Sequence, residues 1–129
     1  MSERTVIATD GAPRPYAGAP YSQGIKAAGL VFCAGQVGLD PASGTLVPGG
    51  VEAQAQRAME NLKAVLEAAG SSFDRVVKTT VFVADLADFA TVNEVYAAFF
   101  RDLPPARSTV QVAGLPAGAL VEIEAIALA

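Results

Sequence analysis

The sequence predicts an α+β domain: a single mixed β-sheet with two helices packed on one face. Three observations predict it. Two segments carry apolar residues at helical spacing, and the remaining apolar segments are short and rich in β-branched residues. Turn-forming clusters separate these segments in the order β-β-β-α-β-α-β-β. The 129 residues are 52% hydrophobic and 17% charged, enough for one core and too apolar for a disordered chain. A single domain over 1–129 follows, with no repeat, low-complexity tract or internal linker.

Thr5–Ile7 reads as a short first strand. Gly11 to Pro20 holds three prolines and two glycines and reads as an extended loop. Gln23–Ala27 and Leu30–Val37 read as strands joined by a two-residue hairpin turn at Ala28-Gly29. Asp40-Pro41-Ala42-Ser43-Gly44 is turn chemistry. Val51–Ala69 is predicted helical, with Ala55, Met59, Leu62, Leu66 and Ala69 on one stripe, and Gly70 stops it. Val76–Val83 reads as an interior strand, with Val77, Thr79, Val81 and Val83 on one face and Val76, Lys78, Thr80 and Phe82 on the other. Asp88 is expected to cap a second helix running to Phe100, with Phe89, Val92, Tyr96 and Phe99 as its apolar stripe. Leu103-Pro104-Pro105 ends that element, and Ser108–Val112 and Leu120–Leu128 are the last strands. The sheet face away from the helices is also largely apolar, and a neighbouring subunit is its simplest cover.

Composition excludes several classes of chemistry. There is no histidine, which removes His-based triads, imidazole bases and His metal sites. A single cysteine, Cys33, removes disulfides within the chain and Cys-cluster zinc sites. With no activating base, Cys33 reads as a buried small residue. No dinucleotide fingerprint, P-loop or EF-hand spacing occurs, so no cofactor and no metal are expected. The formal charge of −4 and a pI near 4.6 stand against binding nucleic acid or an anionic membrane. No apolar run approaches the roughly 20 residues of a membrane span. Met1-Ser2-Glu3-Arg4-Thr5 lacks the order of a secretory signal, so a cytoplasmic location is expected. The mean hydropathy of +0.38 is read either as apolar surface shared between subunits or as an alanine-rich core.

A few residues could carry chemistry. Arg107 follows Pro104-Pro105-Ala106, which stiffens its approach, and its planar fork suits carboxylate or phosphate; alternatively it is a solvated surface arginine. Glu122 and Glu124, two apart in Val121-Glu122-Ile123-Glu124, share a strand face. They are either a half-wet pair of charges or acids whose pKa is raised toward proton-transfer work. Tyr21 closes the rigid loop, as a ligand wall or as an anchor. Gly35 marks a place where backbone or ligand comes close. Asn93, on the second helix, reads as a hydrogen-bonder or a ligand contact.

These residues lie in stretches that resemble the RidA/YjgF family, the reactive-intermediate imine/enamine deaminases. The resemblance is carried by Pro105-Ala106-Arg107-Ser108-Thr109-Val110, Ala113-Gly114-Leu115 and Val121-Glu122-Ile123-Glu124-Ala125-Ile126-Ala127. Pro20-Tyr21-Ser22-Gln23-Gly24, Ala34-Gly35-Gln36, Val77–Val83 and Asp88–Asn93 extend it over nearly the whole chain. The resemblance implies a fold like chorismate mutase and a homotrimer with three clefts between subunits. It implies hydrolysis of 2-iminopropanoate and related imines, in tautomeric balance with 2-aminoacrylate, to 2-oxoacids and ammonia. Arg107 would hold the substrate carboxylate and Glu122 would position or activate water. Tyr21, Ala34, Gly35 and Thr109 would border the cleft, and Asn93 matches a family asparagine. Many members have serine where Ala34 stands, so a hydroxyl contact there would be absent. The segment before Pro104 is shorter than in some bacterial relatives, which would alter the rim. Two rival functions fit the residues less fully: a non-enzymatic trimer binding small carboxylates or proteins, which would need Arg107 but not Glu122, and a ribonuclease.

Overall fold

The computed structural model describes residues 3–129. Strands β1 (Arg4–Ile7), β2 (Gly24–Ala27) and β3 (Leu30–Val37) come first, followed by helix α1 (Gly50–Ala68) and strand β4 (Val76–Val83). Helix α2 (Phe89–Ala97) then leads to β5 (Ala106–Gln111) and β6 (Val121–Leu128). The expected order of elements is present. The six strands form one sheet in the order β1-β2-β3-β6-β4-β5. β4 and β5 run parallel, and the other neighbours run antiparallel, so the sheet is mixed. α2 lies on the crossover that a parallel pair requires. β6, last in the chain, occupies the middle of the sheet.

The core lies between the sheet and α1. Met59, Leu62, Val65 and Leu66 are fully buried against Val31, Val81, Val121 and Ile123. Each such side chain contributes about 1.5–3 kcal/mol by leaving water. All five residues of the predicted α1 stripe are buried. The helix ends as a Schellman motif: Gly70 has φ 79°, its N–H donates to Glu67 O at 2.9 Å, and Ser71 N–H donates to Leu66 O at 2.9 Å. Two buried amides fasten α1 to the strands. Asn61 Nδ2 donates to Val37 O (3.1 Å) and Leu39 O (2.9 Å), and Gln54 Oε1 accepts from Leu120 N–H (2.8 Å).

The structure corrects four local expectations. In β4 the buried residues are Val76, Thr79, Val81 and Val83, while Val77 is exposed. A register irregularity against β6 between Val76 and Lys78 exchanges the faces of the two valines. Asp88 makes no side-chain cap; Asp85, one short 3-10 turn earlier, accepts from Ala87 N–H at 2.9 Å. α2 stops at Ala97. Phe99 and Phe100 lie beyond it and pack on Phe73 with centroids 5.2 and 5.3 Å away. β5 begins two residues earlier than expected and ends one earlier.

Candidate functional site

Glu122 is positioned by a bulge. β3 and β6 keep one register from Leu30–Leu128 to Cys33–Ala125 and another at Gln36–Ile123 and Val37–Glu122. One extra residue on β3, at Ala34-Gly35, absorbs the shift. The Glu122 side chain lies against Gly35. A Cβ there would overlap its carboxylate and sit 2.7 Å from Cδ, so glycine makes room for the acid. Glu122 is half-buried on the sheet face opposite the helices, which it shares with exposed Glu124. Burial, and then the charge of Glu124, hold its carboxyl above the ordinary range. No ion pair neutralises it among the described residues.

Tyr21 is half-exposed and reaches this neighbourhood through the backbone. Two residues on, Gln23 O accepts the Ala34 N–H at 2.9 Å. The buried Gln23 side chain ties the preceding loop down: Oε1 accepts from Thr9 N–H at 2.7 Å, and Nε2 donates to Thr9 O (3.0 Å), Ala12 O (3.2 Å) and Pro13 O (2.9 Å). Ala34, Gly35 and Glu122 therefore lie together at the bulge, and Tyr21 stands two residues before the Gln23 carbonyl that pairs with Ala34. Nothing in the sequence singles out Gln23, because a glutamine that satisfies four backbone groups leaves no periodic signature.

Arg107 lies in a second, separate cluster. It lies on edge strand β5 in register with Thr79, whose side chain is buried in the helix layer. Its guanidinium carbon stands 4.8 Å from the ring centroid of Tyr96 and 5.5 Å from that of Phe89. No carboxylate pairs with it among the described residues. Thr109, two residues on, shares its strand face and faces Val81 in register. Asn93 sits between Phe89 and Tyr96 on one stripe of α2. Phe89 and Tyr96 entered the sequence reading as core residues only; their spacing around Asn93 was the available signal that this stripe could seat a side chain.

A single chain does not bring Arg107 and Glu122 together. Arg107 is in register with Thr79 and Glu122 with Phe82, an odd separation along β4, so the two point to opposite faces. An open cavity of about 240 Å³, lined by Phe32, Lys78, Thr80 and Glu124 among others, touches neither of them. Among the described residues no cluster of His, Cys, Asp or Glu could hold a metal. The Cys33 thiol is buried and pushed up to about 12 by desolvation, so it stays protonated and non-nucleophilic.

Fold and site define a class: a small α+β domain carrying a seated guanidinium and a bulge-cradled carboxylate on opposite faces of one sheet. The family model described as Endoribonuclease L-PSP matches residues 11–129. A mouse protein named 2-iminobutanoate/2-iminopropanoate deaminase is 54% identical over 125 residues, covering 97% of this chain and 91% of its own. The Rid-family protein YyfA of Yersinia pestis superposes with a TM-score of 0.94 at 42% identity, over 98% of this chain and 100% of that one. Escherichia coli TdcF, solved with bound serine, gives a TM-score of 0.90 at 45% identity, over 97% and 98%. The chain belongs to the RidA/YjgF family.

Proposed function

We propose that the protein hydrolyses 2-imino acids and their 2-enamino tautomers, of the 2-aminoacrylate/2-iminopropanoate type, to 2-oxoacids and ammonia. The sites would form where Arg107 of one copy meets Glu122 of a neighbouring copy in a homotrimer. One observation carries this reading: a half-buried guanidinium with no partner carboxylate among the described residues, on the opposite sheet face from an acid of raised pKa. Each half needs something the chain itself does not supply. The name of the mouse relative supports the choice of imines.

The chemistry asks little of the protein. A protonated imine is already electrophilic. Arg107 grips the substrate carboxylate through two parallel N–H donors and so fixes the imine carbon. Glu122 takes a proton from water as its oxygen bonds to that carbon. The resulting carbinolamine loses ammonia as the C–N bond breaks, with Glu122 returning the proton to nitrogen and the hydroxyl proton passing to the departing ammonia as the carbonyl forms. Iminium and water give oxoacid and ammonium, with no electrons exchanged and no cofactor needed. Tyr21, Ala34, Gly35, Asn93 and Thr109 would wall the cleft.

The test is semicarbazide-trapping competition with imines generated by an amino-acid oxidase. Arg107→Ala and Glu122→Gln should each lose about 100-fold or more in removal of carboxylate-bearing imines, with the fold intact by circular dichroism. Wild-type rates in either variant overturn the corresponding role. A purely carboxylate-binding trimer, a reading favoured by the serine bound to TdcF, predicts loss of oxoacid binding in Arg107→Ala and no turnover to lose in Glu122→Gln. The family description names ribonuclease activity; RNA cleavage by rigorously purified protein would favour that reading, against the formal charge of −4.

A further inference from the structure

The Arg107 guanidinium carbon lies over an aromatic ring, 4.8 Å from its centroid. The ring beneath it, Tyr96, is itself fastened at two points. Its hydroxyl lies 2.7 Å from Thr79 Oγ1, and both residues are buried. Its ring packs 4.7 Å from Phe100, which meets Phe73 edge-on at 5.3 Å. Thr79 is also the register partner of Arg107 on the adjacent strand. One threonine therefore sets the spacing of the ring and of the strand position from which the arginine rises. A guanidinium seated over a ring, with no carboxylate paired to it among the described residues, keeps N–H donors for an acceptor. An arginine free on an edge strand would lose its rotamer freedom when ligand bound; one already seated loses little.

We infer that Tyr96, locked through its hydroxyl to Thr79, is a positioning residue that presents the donor edge of Arg107 to the substrate carboxylate. The inference rests on the imino-acid reading above. Tyr96 acts only through Arg107 and touches no reacting atom. Its phenol stays protonated at neutral pH, because burial pushes it up more than the Thr79 hydrogen bond and the Arg107 charge pull it down.

The experiment measures discrimination between carboxylate and amide. The probes are 2-oxobutanoate and 2-oxobutanamide, titrated calorimetrically into the full-length protein, alongside KM and kcat for the corresponding imine. Tyr96→Leu should weaken 2-oxobutanoate binding about tenfold, with amide binding unchanged. Tyr96→Phe, which keeps the ring and loses the lock, should weaken it about threefold. Thr79→Val combined with Tyr96→Phe removes both hydroxyls and should match Tyr96→Phe alone, because the lock is already open. In all of them KM should rise while kcat stays within about twofold. If Tyr96→Leu does not fold, the Tyr96→Phe value decides. Wild-type discrimination in Tyr96→Phe and Tyr96→Leu, with discrimination lost in Arg107→Ala, overturns the inference and leaves the function standing. Wild-type discrimination in Arg107→Ala overturns the carboxylate role, and the inference with it. A fall in kcat with KM and discrimination unmoved also overturns the inference, since it indicates general loosening.

Discussion

Glu122 is under two influences of one sign: burial first, the charge of Glu124 second, both favouring the protonated acid. As a base it must be ionised, so kcat/KM should fall as pH drops through its raised pKa. Glu124→Gln removes the second influence and should move that acidic limb to lower pH, read from a pH–rate profile. The stability sign is opposite to that of a salt-bridged acid. The folded state holds the proton more tightly than the unfolded one, so stability declines as pH rises from the unfolded to the folded value. Glu122→Gln should flatten that decline, which thermal melts across the acid range would show. At this scale Arg107 and Glu122 were legible, because proline-flanked arginine and alternating glutamates are local patterns. Gln23 and the Thr79–Tyr96 pair were not. Their partners lie 10–14 and 17 residues away, and nothing in a strand or helix period announces a buried hydrogen bond.

Among the elements, the turn of the β2–β3 hairpin was read to the residue. Its two turn positions, Ala28 and Gly29, have φ of 54° and 76°. Ala28 is an L-residue in the left-handed region, where asparagine is far better tolerated. Ala28→Asn should raise stability by about 0.5–1 kcal/mol, read as a higher denaturation midpoint with unchanged activity. α1 was legible because one stripe of small and large apolar side chains repeats over 19 residues. β4 was legible as a strand but not as to which valine faces inward. Val76 and Val77 are chemically identical, and the irregularity that decides between them is a property of its pairing with β6. Asp88 stands at the N-cap of α2 as expected, but its side chain makes no cap bond; Asp85, three residues earlier, caps the preceding 3-10 turn instead. Asp85 and Asp88 both suit the position, and only the intervening 3-10 turn distinguishes them.

For the whole molecule, the proposed sharing of each site between copies sets a test that no single variant provides. If each site takes Arg107 from one copy and Glu122 from the next, Arg107→Ala and Glu122→Gln chains complement one another. Unfolded together in equal amounts and refolded, they should recover activity at about a quarter of the sites of a closed ring. Refolded separately and then mixed, they should recover none. Recovery in neither preparation would overturn the shared site. The same topology bears on how the protein is made. β6 is the last strand in sequence and the middle strand in space. On a ribosome, β3 and β4 each offer an unpaired edge until residues 121–128 emerge to join them. The nascent chain therefore cannot settle piece by piece. It must be shielded from other chains until residues 121–128 have emerged, and rare codons or stalls between β4 and β6 would lengthen the period when it is most prone to aggregate.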